Sequence, residues 1–278
     1  GVAAAPQLED MGANYVIVDK QPAPGGNWWQ NTYPGAGVDT PSHLYSYSFA
    51  KKDWHKHFEL RDEIQAYFGQ VLSSLGADKR VRYGTEVLSA VLDESTMRWN
   101  LSLRNADGTE ENLVANVVVS AVGVLNRPKV PNLPGVGSFE GPEFHSAEWP
   151  AGLDLAGKKV AVVGNGASAM QIVPAIADTV SRLTIFQRSK HWVAPFEKFQ
   201  VPISPELRQL IQTCPPYFAW YWVRLFWQFG DKVIEALRVD PEWEHPDRSV
   251  NARNDAHRAY FIRYIETILG DRTDLLDK

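Results

Sequence analysis

Lys158-Lys159-Val160-Ala161-Val162-Val163-Gly164-Asn165-Gly166-Ala167-Ser168-Ala169 is the stretch on which the fold turns. Its run from Lys158 to Val163 reads as a strand. It passes directly into G-x-G-x-x-A; an apolar helix then runs from Met170 to Ile176, and Leu183 to Phe186 forms the next strand. Gly164 permits the tight turn, Gly166 lets backbone approach a pyrophosphate, and the small Ala169 allows helix to pack closely on strand. The helix N-terminus, with Ala167 and Ser168 in its first turn, offers free N–H groups and a positive dipole end to phosphates. A ligand-free glycine turn is the plain alternative, and the strand–motif–helix–strand context argues against it.

The chain's start carries a second, shorter copy. Gly1 is followed by a small-residue helical pattern ending at Gly12, then by the apolar run Tyr15-Val16-Ile17-Val18-Asp19. With Gly1 aligned on Ala169, both strands end at the same offset, at Asp19 and Gln187, and Pro6 falls on Pro174. The first copy is therefore expected to enter at the last position of its motif, without the opening strand and first two glycines.

The two strand ends differ in chemistry. Asp19 suits the ribose hydroxyls of an adenosine, as in FAD or NAD. Gln187-Arg188-Ser189-Lys190 has no acid and two cations, and Arg188 can pair a 2′-phosphate in a bidentate, charge-assisted way, which predicts NADP. Solvated surface charge is the other reading of Arg188 and Lys190.

Composition bounds the rest. At 278 residues, 44% hydrophobic and 22% charged, the chain is long enough for two domains and argues against disorder. The net charge of -5 offers no basic field for nucleic acid, and no apolar run of about 18 residues suggests a membrane span. The lone Cys214 excludes an internal disulfide and a cysteine-based zinc site; no metal is expected. Without an apolar leader, the reducing cytoplasm is the expected compartment. Ten Trp hint at a bulky cofactor or an aromatic-lined cavity.

A flavin would fit the segment after Asp19. Pro24-Gly25-Gly26-Asn27-Trp28-Trp29 is a glycine turn followed by large rings, and Tyr33-Pro34-Gly35-Ala36-Gly37-Val38-Asp39 is a turn-rich loop ending in a carboxylate. Asp39 before Thr40-Pro41 also fits a plain helix N-cap.

The run from Gly25 to Phe49 resembles the flavin-binding segment of class B flavoprotein monooxygenases. Phe139-Glu140-Gly141-Pro142-Glu143-Phe144-His145-Ser146-Ala147-Glu148-Trp149-Pro150 is similar to the F-x-G-x-x-x-H-x-x-x-W-[PD] fingerprint of the Baeyer–Villiger monooxygenases. Asn31 to Pro34 and Thr40 to Phe49 most resemble the 4-hydroxyacetophenone monooxygenase branch. The likeness extends from Gly1 to Lys278.

The resemblance implies an α/β protein of the three-layer FAD/NAD(P)-binding fold, with two Rossmann-like dinucleotide-binding domains and a helical insertion. The expected boundaries are a FAD-binding domain over 1–135, a fingerprint hinge over 136–156, an NADPH-binding domain over 157–204 and the insertion over 205–278. Gly1, Asp19, Gly25, Gly26, Asn27, Trp28, Trp29, Asp39, Tyr45 and Val87 would lie about FAD. Gly37, Val38, Gly164, Asn165, Gly166, Ala167, Ser168, Ala169, Gln171, Arg188 and Ser189 would lie about NADPH. Asp39 would orient and tune a catalytic arginine expected beyond Lys278. Gly37 departs from the arginine usual there in many relatives.

The implied reaction takes NADPH, O2 and a ketone. Flavin reduced by NADPH forms a C4a-peroxide that inserts one oxygen beside the carbonyl of an aryl or cyclic ketone, giving an ester or lactone. An N- or S-oxygenating flavin enzyme and a non-catalytic NADP-binding fragment are the alternatives. In the fingerprint, Phe139, Gly141, His145, Trp149 and Pro150 imply a hinge that gates domain movement; general acid–base work and a satisfied core histidine are the other readings of His145. The preceding Pro128 to Pro134 stretch reads as a linker.

Elsewhere, Arg61 to Leu75 reads as a helix with Ile64, Tyr67, Phe68, Val71 and Leu72 on one face. The run from Thr85 to Val91 reads as a strand, as do Trp99 to Leu103 and Leu113 to Ala121, the last two joined by an Asp107-Gly108 turn. From Pro205 the chain reads as helical. Its aromatic run from Tyr217 to Phe229, interrupted by Arg224, either buries or forms an exposed interfacial patch.

Overall fold

The computed structural model describes residues 1–275. A 3-10 turn leads into α1 (Ala5–Asp10), where Pro6 occupies the first turn and its missing N–H costs no bond. β1 is Ile17–Val18, shorter than the apolar run around it. Next come α2 (Asn27–Gln30), α3 (Ser42–Tyr45) and α4 (Arg61–Ser74). β2 (Val81–Arg82) lies parallel to β1, with Ile17 opposite Val81. β3 (Glu86–Asp93), β4 (Arg98–Arg104) and β5 (Glu110–Ala115) form an antiparallel meander. Its second hairpin closes with Asn105 N–H donating to the Thr109 carbonyl.

The chain divides into two compact units: Gly1–Ala36 with Arg61–Asp154, and Gly37–Leu60 with the chain from Leu155 onward. In the first unit, Ala5, Leu72 and Ala77 are buried, and Val2, Tyr15, Ile17, Val81 and Tyr83 pack on them. The α4 periodicity holds, with Ile64, Tyr67, Val71 and Leu72 buried and Phe68 at the stripe's half-buried margin. The strand expected over Leu113 to Ala121 stops at Ala115. Val117, Val119, Val122 and Val124 are 64–95% exposed, and among the described residues no strand pairs with them. Apolar patterning alone does not make a strand; the main chain needs a neighbour to take its N–H and C=O groups.

In the second unit, β6 (Lys159–Val163), α5 (Ala167–Ile176) and β7 (Arg182–Phe186) form the βαβ unit, β6 and β7 running parallel from Lys159↔Arg182 to Val163↔Phe186. The helical part comprises α6 (Pro205–Thr213), α7 (Pro215–Phe229), α8 (Asp231–Leu237) and α9 (Ala252–Leu269). Ser204 caps α6, its hydroxyl accepting from Leu207 N–H. Ile211, Tyr221 and Leu225 are buried, with Leu44, Tyr217, Phe218 and Phe229 packed on them.

The aromatic run therefore buries one stripe and leaves another exposed. Trp220, Val223, Phe226 and Trp227 remain about half exposed, because a helix apolar all round has more hydrophobic surface than one stripe of neighbours can cover. No helix among the described residues is long and apolar enough to cross a membrane.

Candidate functional site

The turn after β6 has the shape its glycines imply. Gly164 takes φ +107, a conformation side-chain-bearing residues avoid, and its N–H bonds the Phe186 carbonyl at 2.8 Å. Nothing lies within 4 Å of where a Cβ would stand on Gly164 or Gly166, so the backbone at the mouth of α5 is open to a ligand. Gly166 is the extended N-cap of that helix, and Ala169 is buried beneath it.

Asn165 connects this turn to the end of β7. Its Nδ2 donates to Gln187 Oε1 at 3.0 Å and to the Ser189 carbonyl at 2.8 Å. Arg188 between them is exposed and makes no ion pair among the described residues. A cation on a tethered loop beside a helix N-terminus can receive a phosphate.

The second approach to this turn comes from residues 37–60. Gln171, on α5, donates its side-chain amide to the Gly37 carbonyl at 2.9 Å. Gly37 pairs antiparallel with Leu60, and Val38 N–H donates to the Glu59 carbonyl at 3.0 Å. A Cβ on Gly37 would stand 2.9 Å from that carbonyl oxygen, so the close backbone approach explains the glycine that replaces the arginine expected from the resemblance. Glu59 is itself buried, and His55 and Lys56 N–H groups donate to its Oε1 at 2.9 and 2.8 Å. Ser42 completes the brace, its hydroxyl donating to the His57 carbonyl and accepting from Glu59 N–H.

Asp39 stands at the end of this braced loop and is exposed. The N-cap reading fails: α3 starts at Ser42 with Pro41 as its cap residue, and among the described residues Asp39 accepts only a long 3.5 Å contact from the Thr40 hydroxyl. Its carboxylate is thus not consumed by a local capping role. Tyr45, in the same unit, is 37% exposed.

The remaining flavin candidates lie in the first unit. Gly1 stands against Ile17, where a Cβ would approach Cγ2 to 3.1 Å, the close contact expected at the last small residue of the motif. Asp19 closes its strand, one carboxylate oxygen accepting Gln21 N–H at 2.9 Å. Gly25 and Gly26 both have positive φ and feed α2, which carries Asn27, Trp28 and Trp29. Arg61 fastens that turn, donating to the Trp28 and Trp29 carbonyls, and Gln65 donates to the Pro24 carbonyl at 3.1 Å. Val87 lies on β3, opposite Leu103 and 44% exposed.

Arg61, Gln65, Ser42 and Glu59 do not stand out in the sequence, because α4's periodicity reports its apolar face and nothing local says which carbonyls its polar residues reach. The only available signals are the polar residues themselves, at the start of a helix and inside an otherwise apolar segment.

His145 is half-buried and caps a 3-10 turn, Nδ1 accepting Ala147 N–H at 3.1 Å. That bond places any neutral-ring proton on Nε2, and the residue is not a core histidine. Trp149 packs edge-on against Phe144 at 5.2 Å, Phe139 is 67% exposed, Gly141 lies between Phe139 and Phe144 in the chain, and Pro150 precedes the unit boundary after Asp154.

The family model for L-lysine 6-monooxygenase/L-ornithine 5-monooxygenase matches residues 40–201. The chain is 51% identical, over its whole length, to an uncharacterized monooxygenase of Sinorhizobium fredii, of which it spans 42%. It is 44% identical over 197 residues to a Baeyer–Villiger monooxygenase of Streptomyces coelicolor, covering 70% of this chain and 37% of that protein. A cyclohexanone monooxygenase of Rhodococcus, solved with NADP+, superposes with TM-score 0.76 at 29% identity, covering 98% of this chain and 55% of the other. The chain thus spans less than half the length of the curated relatives it matches. By the family match over residues 40–201, the Phe139–Pro150 fingerprint and these relatives, the chain belongs to the class B flavoprotein monooxygenases, on their Baeyer–Villiger side.

Proposed function

We propose that this chain supplies cofactor-binding parts of an NADPH- and FAD-dependent Baeyer–Villiger monooxygenase acting on a ketone with O2. The observation that carries the proposal is the Gln171–Gly37 hydrogen bond, which holds the loop ending in Asp39 against the helix whose N-terminus faces the open glycine turn. In this reading the backbone of Gly164 and Gly166 receives the NADPH pyrophosphate, Arg188 the 2′-phosphate, and Gly37 and Val38 border the nicotinamide end. Asp19 and the Gly25–Trp29 turn hold FAD. Together the two cofactors supply the reduction and O2 activation that ketone oxygenation requires. The protein's share is positioning: Asn165 sets the Arg188 loop, Arg61 sets the flavin turn, and Asp39 presents a carboxylate able to orient a cation at the reacting centre.

The same reading assigns a FAD-binding domain to residues 1–135, a hinge to 136–156, an NADPH-binding domain to 157–204 and a helical insertion to 205–278, within the three-layer fold. The hinge assignment rests on His145 and Trp149 organising a turn just before the unit boundary.

Two measurements on the complete enzyme containing this chain test the proposal. Aryl methyl ketone, NADPH and O2 should yield an ester; failure on aryl and cyclic ketones alike overturns the reaction. Arg188→Ala should weaken NADPH use about tenfold to a hundredfold while leaving NADH use unchanged, and an unaltered preference overturns the phosphate assignment. The matched family's description favours N-oxygenation as a second reading, and formation of a hydroxylated amine from lysine or ornithine in the same assay would favour it over the ketone reaction.

A further inference from the structure

An open cleft of about 300 Å³ lies in the second unit between the segment following α3 and one face of α7. Phe218 and Trp222 line it over the buried Trp54, and Lys51 and Lys52 stand with them. None of the residues expected to hold FAD or NADPH lines it. Its size is at the small end of ligand pockets, which run from about 300 to 1,000 Å³.

Two features mark it as more than a gap between helices. His43 lines the cleft and is 5% exposed, wedged edge-on against Tyr221 at 5.4 Å and Phe218 at 6.4 Å. Among the described residues nothing hydrogen-bonds its ring nitrogens, although a buried polar ring normally finds a partner. No fully enclosed side-chain nitrogen or oxygen among those residues lacks a partner, so the unpartnered ring nitrogens of this cleft-lining residue are not fully enclosed. Burial pushes its pKa down to about 4, so at neutral pH the imidazole offers one donor and one acceptor and no charge. The second feature is the lysine pair. Lys51 Nζ lies 4.2 Å from the Phe218 ring centre and Lys52 Nζ 4.7 Å from that of Trp54, holding positive charge over the rim of an apolar slot. Among the described residues Lys51 has no carboxylate partner, and the nearby Asp53 is engaged by Arg208.

We propose that this cleft binds a small amphipathic carboxylate, its aromatic or alkyl body against Phe218 and Trp222, its carboxylate at Lys51, and a hydroxyl or carbonyl at its far end on His43. The proposal stands independently of the cofactor assignments. A buried neutral imidazole recognises an uncharged polar group, the cations recognise an anion, and the rings between them exclude a fully polar ligand.

The test is titration of the 278-residue chain with phenylpropionate, para-hydroxyphenylpropionate and the neutral phenylpropanol, followed by tryptophan fluorescence and calorimetry. Saturable one-to-one binding of the acids is expected, about tenfold tighter than the alcohol. Lys51→Ala should remove most of that difference, whereas Lys232→Ala, a lysine over Trp227 outside the cleft, should leave it intact. The para-hydroxyl should tighten binding in the parent chain and not in His43→Phe. If that variant fails to fold, the acid–alcohol difference and Lys51→Ala decide alone. No saturable binding of the acids, equal affinity for acid and alcohol, or a Lys51→Ala protein that binds like the parent would each overturn the proposal.

Discussion

Gly37 and His43 show how single residues in the 37–60 segment are constrained. At Gly37 the obstacle to a side chain is the Glu59 carbonyl, 2.9 Å from the Cβ position, and backbone on both sides of that contact is paired. Gly37→Ala should cost about 1–3 kcal/mol through a forced backbone shift. A thermal melt several degrees below the parent's is the expected result, and an unchanged melt would show that the segment relaxes freely. His43 couples stability to pH. Its folded-state pKa of about 4 lies below the ordinary 6.5, so between those values the unfolded chain holds the extra proton. Stability is complete above about pH 6.5 and falls as pH drops toward 4, by up to about 3 kcal/mol. Burial also lowers His57, which adds to the same trend. Denaturant titrations across that window should show a shallower decline for His43→Phe than for the parent, and parallel curves would count against the assignment.

At the level of elements, two segments keep apolar residues in water. Residues 117–125 present Val117, Val119, Val122, Val124 and Leu125 to solvent with no strand paired to them among the described residues, a combination of β-propensity and low charge that favours self-association. Val119→Lys should raise the concentration at which the chain remains monodisperse, by light scattering, without lowering its melting temperature. A lower melting temperature would mean the valine packs in solution. The α7 helix poses a similar problem in another geometry, since Tyr221 and Leu225 bury one stripe while Trp220 and Trp227 stay about half exposed. Arg224 and Lys232 lie over those two rings and cover part of each aromatic face.

For the whole molecule, the most accessible stretch of main chain is the irregular one from residue 121 to 140, within the first unit and exposed almost throughout. Brief trypsin treatment should cut after Lys129, because Arg127 precedes Pro128 and resists cleavage, and mass spectrometry should find two persistent fragments. Scattered cutting within α4 or α5 instead would contradict the compactness of the units. Much of this organisation was legible in the sequence. Periodicity and glycine spacing determined β6, the turn at Gly164, α5, β7 and the buried face of α4, because each depends on contacts within a few residues or on one backbone conformation that glycine allows. Chain-distant polar contacts left no such mark: the Gln171–Gly37 bond spans 134 positions, and Arg61 reaches carbonyls 33 and 32 residues away. The failure of the apolar run after Ala115 to become a strand has the same origin. Local pattern selects which residues favour a strand or helix, but only tertiary packing supplies the partner that takes up a carbonyl, covers a ring or fills the space beside a glycine.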